Sequence, residues 1–345
     1  MNDPAPVPPQ EHVPPREQLP PQEQLPPRER LTREEQLPLQ DDLPPQDNLP
    51  PQDSLPPTER VDSQTRGLDT LATGELIATL GRSQRRAFEV VDEAGPFLAE
   101  AVERIANLLA AGGSLHYAGA GTSGRLGTLD AAECPPTFGT VPDFVRAHIA
   151  GGAAALVHAV EGAEDDAEAG AREAQAAVRS GDAVVGISAS GGAAYVVAFV
   201  ATARAAGAYT VALSSSLNSP LSHAAELAIA LETGAEPLAG STRLVAGTAQ
   251  KLALNAISTA VMVRLGKVYD NLMVDVIASN AKLRARALRL VQALAPCDAA
   301  TAAALLEAAG GSVKVAIVMA RRDVEAGRAR TMLAAEDGRL RSVIG

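Results

Sequence analysis

Apolar residues occur in two kinds of run along this 345-residue chain, and their alternation predicts an α/β fold. Short runs rich in Val, Ile and Ala are typical of buried parallel strands. Segments with the 3.6-residue spacing of helices separate most of these runs, which indicates a parallel sheet with helices on both faces. The predicted strands lie near residues 114–118, 144–149, 183–188, 209–214 and 227–231.

Helical spacing also dominates the sequence on both sides of this sheet. A short helix capped near Thr73 is predicted first, and apolar residues from 83 to 111 then recur at helical intervals, interrupted by Pro96. Residues 241–294 are almost entirely helical in pattern, with one break at 266–271. The remainder predicts a small Ala-rich helical cluster, with Asp298 as a plausible cap.

The N-terminal segment follows a different pattern, with one apolar residue in every six from Val7 to Leu55. Residues 4–57 carry 17 of the 24 prolines. Proline removes N–H donors, and so little apolar surface cannot offset the entropy of ordering. We therefore predict a disordered or polyproline-II tail at 1–65, either a solvated spacer or a docking segment for an unknown partner. The predicted domains after it are 66–295 and a helical subdomain at 296–345.

Charge and composition narrow the functional classes. The net charge is −11, of which −7 lies in residues 1–66, and aromatic residues make up only 3%. Both values disfavour a nucleic-acid partner. The chain shows no apolar run of membrane-spanning length and no signal-peptide pattern, so we expect no membrane association. Two cysteines and five scattered histidines give no metal spacing, and a cytoplasmic location fits them.

The first candidate site is the turn Gly119-Ala-Gly-Thr-Ser-Gly124, which follows a short strand. Its glycines permit a tight turn, and the N–H groups of the following helix favour an anion. Thr122 and Ser123 add hydroxyl groups that suit a terminal phosphate. The turn also matches the dinucleotide fingerprint, for which Asp143 is the nearest acidic residue but lies in a predicted loop. A sugar phosphate, a dinucleotide and a purely structural turn are the three interpretations.

A second turn of the same kind follows the strand at 183–188. It reads Ser188-Ala-Ser-Gly-Gly192 and precedes a predicted helix at about 193–206. Loops at the carboxyl ends of strands in one parallel sheet can converge on one ligand. Ser188 and Ser190 could instead cap the helix, which is worth about 1 kcal/mol and is compatible with phosphate binding.

Glu133 is the first candidate catalytic carboxylate. It is predicted to end the helix after the first turn, because Cys134 and the pair Pro135-Pro136 follow it. The negative helix pole and the apolar neighbours would raise its pKa, as a general acid requires. The alternative is a surface glutamate at a frayed helix end. Cys134 itself is expected to be a small buried residue.

A second acidic cluster runs from His158 to Asp166. Such a run is commonly the solvated start of a helix, where acids favour the positive pole. The functional interpretation is that one glutamate of the cluster, such as Glu161 or Glu164, points toward the sugar and acts as a base.

At this level of detail the chain resembles the N-acetylmuramic acid 6-phosphate etherases of the sugar-isomerase (SIS) fold group. The resemblance covers about residues 66–345. It rests on YAGAGTSGRLGTLDAAECPPTFG (117–139), HAVEGAEDD (158–166), VVGISASG (184–191), GSTRLVAGTAQKLALNAIST (240–259) and GKVYDNLMVDVIASNAKL (266–283).

The resemblance implies a cytoplasmic homodimer with no metal and no nucleotide cofactor. It implies cleavage of the D-lactyl ether of N-acetylmuramic acid 6-phosphate, by elimination and then hydration, in recycling of cell-wall amino sugar. The family's two catalytic glutamates fall on Glu133 and Glu164. The residues expected to bind the substrate are Gly121, Thr122, Ser123, Gly124, Ser188, Ser190 and Gly191.

Two stretches depart from the family pattern. Gly192-Ala193-Ala194 stands where Arg-Thr-Pro is usual, which removes a cation and a hydroxyl, and residues 214–219 lack the usual Cys-Asn-Pro turn. A sugar-phosphate sensor resembling glucokinase regulatory protein is the alternative from another class, and a sugar-phosphate isomerase is a third. The presence of both Glu133 and Glu164, in a single SIS unit, favours the etherase.

Overall fold

A five-stranded parallel sheet forms the centre of the molecule. The computed structural model describes residues 55–276 and 281–345, so the predicted disorder of the proline repeat lies outside the described residues. The strand order is β2-β1-β3-β4-β5. Every predicted strand is confirmed to within one residue at each end: β1 (Leu115–Gly119), β2 (Val145–Ile149), β3 (Ala183–Ile187), β4 (Tyr209–Ser214) and β5 (Leu227–Ala230).

Helices cover both faces of the sheet, as predicted. The first eight are α1 (Thr73–Ser83), α2 (Arg85–Glu93), α3 (Gly95–Ala110), α4 (Gly121–Phe138), α5 (Ala167–Ala177), α6 (Ala194–Ala205), α7 (Pro220–Ala224) and α8 (Val245–Arg264). Because successive strand residues point to opposite faces, Tyr117 joins a core with α2, α3, α4 and α8, whereas Ala118 joins one with α5, α6 and α7. The predicted cap at Thr73 is wrong, since Ala72 precedes α1 and no side chain caps it.

Helix α4 does not stop where the sequence suggested. It continues through Pro135 and Pro136 to Phe138 and ends at Gly139, whose φ is +63°. The prolines remove two N–H donors, but Phe138 and Cys134 are buried in the core and hold the last turn in place. Glu133 therefore lies inside the helix rather than at its end.

The C-terminal part forms a third, separate apolar core. The predicted break after α8 contains a hairpin, β6 (Val268–Tyr269) and β7 (Leu272–Met273), that the sequence pattern did not reveal. The helices that follow are α9 (Ala281–Leu294), α10 (Ala299–Ala308), α11 (Val313–Arg322), α12 (Ala326–Ala335) and α13 (Leu340–Ile344). Asp298 caps α10 as predicted, accepting a hydrogen bond from the Thr301 N–H at 2.7 Å.

A buried lysine joins the parts of this C-terminal core. Lys314 Nζ donates to Asp275 Oδ2 at 2.7 Å and to the Gly338 carbonyl at 2.8 Å, and burial lowers the pKa of Lys314. Within the described residues, no helix by itself is long and apolar enough to cross a membrane, although the sharply bent pair α9–α10 meets that test by length and composition.

One buried carboxylate fastens α4 to the sheet and to α8. Tyr117 Oη donates to Asp130 Oδ2 at 2.9 Å, while Asn255 Nδ2 and Ser258 Oγ donate to Oδ1 at 2.7 and 3.0 Å. Burial raises the pKa of Asp130, and the three donors act in the opposite direction. Since Glu133 lies one turn further along α4, this network also sets the position of its helix.

Replacing Asp130 by alanine should lower the free energy of unfolding by about 3 kcal/mol, because buried donors are left without an acceptor. Urea denaturation measures this change. Glu100→Ala is the matched control, since Glu100 is exposed on α3 and its loss should change stability by less than about 0.5 kcal/mol. Equal midpoints for the two variants would show that the Asp130 network contributes nothing.

Candidate functional site

The first loop, residues 119–124, connects β1 to α4, and its glycines meet two different requirements, a positive φ angle and close packing. Gly121 has φ +51°, and a Cβ on Gly124 would lie 2.5 Å from Ile149 Cγ1 and 2.8 Å from the Gly119 carbonyl oxygen. Ala120 precedes α4 and no side chain caps the helix. The first N–H groups of α4 therefore have no side-chain cap, which suits the anion site that the sequence predicts.

The two hydroxyl groups of the first loop have different environments. Thr122 is half-buried, and a Cβ on Gly247 would lie 3.4 Å from its Cγ2, so α8 packs closely against the loop. Ser123 is buried, and its Oγ lies 2.8 Å from Gln250 Oε1. Sequence reasoning missed Gln250; a long polar side chain among the mostly apolar residues on the buried face of α8 is the signal that could have found it.

The second loop, residues 188–192, leaves the neighbouring strand β3. Ser188 is buried and its Oγ accepts from the Gly191 N–H at 3.1 Å, while exposed Ser190 accepts from the Gly192 N–H at 3.2 Å. Both serines therefore bond within the loop, and Ala193 precedes α6 without a side-chain cap. The helix-capping alternative for the serines is wrong, and each hydroxyl can still donate its proton to an anion.

The serine-rich stretch 214–219 packs against the second loop. Gly191 has φ +69°, and a Cβ there would lie 2.2 Å from Ser219 Oγ. The Ser215 N–H donates to the Ala189 carbonyl at 2.9 Å, and the Leu221 N–H donates to the Gly191 carbonyl at 3.0 Å. Residues 214–219, which depart from the family pattern, therefore contact the second loop directly and help to fix its backbone.

The two loops lie at the same edge of the sheet. Gly119 at the end of β1 pairs in register with Ile187 at the end of β3. Their convergence, expected from the order of the elements, follows from this pairing. The geometry suits a phosphate group held between two uncapped helix starts with several hydroxyl groups beside it.

Glu133 lies some distance from this edge. It is ten residues beyond Ser123 on α4, which corresponds to about 15 Å along the helix axis. Its side chain is exposed, so the expectation that Cys134 and the prolines would desolvate it is wrong for the single chain. Cys134 faces the core instead, as expected, and burial raises the pKa of its thiol to about 12.

Glu164 lies in a short 3-10 turn, Ala163–Asp165, that contacts α6. Arg125 fastens the preceding segment to the first turns of α4, donating to the carbonyls of Leu156 at 3.3 Å and His158 at 3.2 Å. Asp166 caps α5 by accepting from the Ala169 N–H at 2.8 Å. The helix-start interpretation therefore describes Asp166, while Glu164 remains exposed beside the helix that follows the second loop.

A series of hydrogen-bonded polar side chains, all buried except the half-buried Glu173, fixes α5 and α6 against the sheet. His116 Nδ1 lies 3.0 Å from His148 Nε2, His148 Nδ1 lies 2.8 Å from Glu173 Oε1, and Tyr195 donates to Glu173 Oε2. The pKa of His116 falls to about 4, mainly because of burial, and the hydrogen bond from His148 lowers the pKa of Glu173. Glu173 lies on α5, which follows the turn of Glu164, and Tyr195 lies on α6, which follows the second loop. These hydrogen bonds therefore hold the two candidate segments against the sheet.

The start of α8 is held by another buried carboxylate that sequence reasoning missed. Glu236 is fully buried and accepts from the N–H groups of Val245 at 2.8 Å and Ala246 at 2.9 Å. Burial raises the pKa of Glu236.

Among residues 55–276 and 281–345, no group of three or more His, Cys, Asp or Glu side chains is placed to hold a metal ion.

Comparison with known proteins identifies the relatives of this arrangement. The family model for the glucokinase regulatory protein N-terminal SIS domain matches residues 97–204, and the SIS domain model matches residues 160–260. An N-acetylmuramic acid 6-phosphate etherase of Deinococcus radiodurans is 48% identical over 289 residues, which covers 84% of this chain and 95% of the relative.

Two further curated relatives carry the same name. The protein of Symbiobacterium thermophilum is 51% identical over 251 residues, covering 73% of this chain and 84% of the relative. That of Gloeobacter violaceus is 48% identical over 284 residues, covering 82% and 93%. The matches therefore extend well beyond the two loops and include the segments of Glu133 and Glu164.

Gly191→Ala should abolish binding of phosphate at the second loop, because the new Cβ would occupy the place of Ser219 Oγ. Gly192→Ala is the control, since a Cβ there meets only Ser190 Oγ at 3.5 Å, an ordinary contact. The measurement is the rise in melting temperature on addition of inorganic phosphate. If both variants keep that rise, the second loop does not bind the anion.

Proposed function

This chain belongs to the N-acetylmuramic acid 6-phosphate etherase family, and we propose that it performs the family's reaction with Glu133 and Glu164 as its acid–base pair. The enzyme is a carbon–oxygen lyase of amino-sugar metabolism and cell-wall recycling, and its substrate is a sugar phosphate. The observation that supports the residue assignment is the pair of uncapped helix starts at one edge of the sheet, together with an exposed Glu164 in a turn that contacts α6.

The reaction proceeds by elimination and then hydration. In the open-chain aldehyde the C2 proton is acidic, and a carboxylate base removes it. The C3–O bond breaks, its electron pair leaves with the lactyl oxygen, and an acid protonates that oxygen to release D-lactate. Water then adds to the C2=C3 double bond, with hydroxyl at C3 and a proton at C2, which gives N-acetylglucosamine 6-phosphate.

The two glutamates carry out the proton transfers of this reaction. The 6-phosphate binds at the two loops through Thr122, Ser123, Ser188 and Ser190, and Gly121, Gly124 and Gly191 let the backbone approach it. Glu133 donates the proton to the leaving ether oxygen, and Glu164 acts as the second acid/base. Both side chains are exposed in the single chain, where substrate can reach them.

Glu133→Ala should abolish D-lactate release from N-acetylmuramic acid 6-phosphate, with a loss of at least about 100-fold in kcat, while binding of the phosphosugar changes little. A coupled D-lactate assay and calorimetric titration with N-acetylglucosamine 6-phosphate measure the two quantities. Glu100→Ala, an exposed glutamate on α3, is the matched control. Unchanged turnover in Glu133→Ala would contradict the assignment.

A second copy of the chain is needed to bring Glu133 to the sugar. A phosphate at the start of α4 lies beyond Gly121, and Glu133 is twelve residues further on, about 18 Å along the axis. Six bonds join phosphorus to the ether oxygen and span about 8 Å when extended. A glutamate side chain and one hydrogen bond add roughly 7 Å. The same chain's Glu133 therefore does not reach the ether oxygen.

The surface around both glutamates supports such an assembly. Leu129, one turn before Glu133 on α4, is 52% exposed, and Val141 just beyond the helix is 67% exposed. Val157, in the segment that precedes Glu164, is 77% exposed. Exposed apolar side chains beside two catalytic carboxylates suit a subunit interface that would also exclude water from them. We propose a homodimer in which Glu133 acts on substrate bound by the partner protomer.

Mixing Glu133→Ala and Glu164→Ala subunits should restore activity. In a symmetric dimer each mixed pair has one site with both glutamates intact, so mixed dimers isolated through both tags should give roughly half of wild-type D-lactate release. The subunits are co-expressed with different affinity tags and purified together. No recovery in a sample shown to contain mixed dimers would place both glutamates in one chain.

The sensor is the second candidate function, and the match to the glucokinase regulatory protein model over residues 97–204 favours it. It predicts phosphosugar binding without lactate release, so the lactate assay separates the two functions.

We also propose a cytoplasmic location, which the free thiols of Cys134 and Cys297 support, because reducing compartments keep cysteines unpaired.

A further inference from the structure

Ser123 and Gln250 form a buried pair directly behind the first loop. Ser123 Oγ lies 2.8 Å from one atom of the Gln250 amide, and both side chains are at least nine-tenths buried. With the amide oxygen toward Ser123, the hydroxyl gives its proton to Gln250. The amide nitrogen then has no hydrogen-bond partner although it is buried.

This arrangement is unfavourable on two counts. A buried NH₂ group without a partner costs on the order of 1–3 kcal/mol. In addition, a hydroxyl has one proton, so a Ser123 that donates to Gln250 can offer a phosphate only its lone pairs. Such a serine would repel the anion that the rest of the loop is arranged to bind.

Rotating the amide by half a turn solves the second problem and reduces the first. Nitrogen and oxygen of a glutamine amide occupy nearly the same volume, so Nε2 can take the place of Oε1 beside Ser123 without other movement. The amide N–H then donates to Ser123 Oγ, and the hydroxyl proton is released toward the loop. The amide oxygen that turns away is easier to leave without a partner than an NH₂ group.

We propose that Gln250 is a positioning residue for substrate binding, which holds Ser123 as a hydrogen-bond donor to the 6-phosphate. This inference rests on the proposed function, since it concerns the same phosphate site. The amide acts through Ser123 and does not touch the substrate, because the whole Gln250 side chain is closed to solvent.

The surrounding structure keeps Gln250 in place. Glu236 fixes the first turn of α8 through the N–H groups of Val245 and Ala246, and the Asp130–Asn255 hydrogen bond fixes α8 beyond Gln250. Gln250 lies between these two points on a helix that cannot easily shift, so its amide stays within hydrogen-bond distance of the loop.

The test compares three replacements of the amide. Gln250→Glu, when ionised, only accepts hydrogen bonds and so keeps the Ser123 proton turned away from the phosphate. Gln250→Met has a similar length, no polar group, and leaves the hydroxyl able to rotate. Ser123→Ala removes the hydroxyl altogether. The measurements are KM and kcat for D-lactate release and the inhibition constant of inorganic phosphate.

We expect Gln250→Glu and Ser123→Ala each to raise KM and the phosphate inhibition constant by about tenfold or more, as loss of one charge-assisted hydrogen bond implies, with kcat within about twofold. Gln250→Met should raise KM less than either. The double variant Ser123→Ala/Gln250→Glu should be little worse than Ser123→Ala alone. Asn107→Asp also replaces an amide by a carboxylate, but at an exposed position of α3, and so controls for the added charge.

Equal effects of Gln250→Glu and Gln250→Met, or full additivity with Ser123→Ala, would overturn the positioning role and leave Gln250 as a packing residue. Melting temperatures identify any variant that fails to fold. If Gln250→Glu does not fold, the Gln250→Met variant, alone and combined with Ser123→Ala, decides the question. If the wild type releases no lactate, the proposed function fails; titration with inorganic phosphate then still tests the Ser123–Gln250 pair.

Discussion

The contact between α4 and α8 is the constraint on which the site depends. Asp130 is the acceptor at its centre, and its donors come from β1 and from two positions of α8. The first loop begins α4, and Gln250 and Gly247 of α8 lie directly behind that loop. A shift of one helix against the other would therefore change the positions of the loop hydroxyl groups and of Glu133 together.

Much of the fold and of the phosphate site could be predicted from the sequence, because the signals are local. Strands such as Ala183–Ile187 are short apolar runs that end at glycine- and serine-rich turns. The hairpin after α8 was missed because its strands have two residues each, too few to show a period. The end of α4 was misjudged because burial of Phe138, a tertiary effect, outweighs the local effect of two prolines.

The residues that escaped prediction share a physical cause. Asp130 and Gln250 bond to residues 125 and 127 positions away in sequence, so their roles appear only when α8 folds against α4 and the first loop. Glu236 bonds to two backbone N–H groups nine and ten residues further on, across a segment with no regular pattern that would predict the contact. The Glu133 environment was misjudged for a related reason. Sequence neighbours such as Cys134 suggested desolvation, whereas consecutive helical residues point in different directions and only Cys134 faces the core.

The separation of the C-terminal core from the two cores on the faces of the sheet has a consequence for how the protein unfolds. The core from Val274 to Ile344 shares no buried residue with the other two, and the Lys314 contacts to Asp275 and Gly338 lie within it. Such an arrangement allows the C-terminal helices to melt in a transition of their own, in which case a single melting temperature does not describe the chain. A phosphosugar bound at the loops stabilises the sheet directly and would move the two transitions apart.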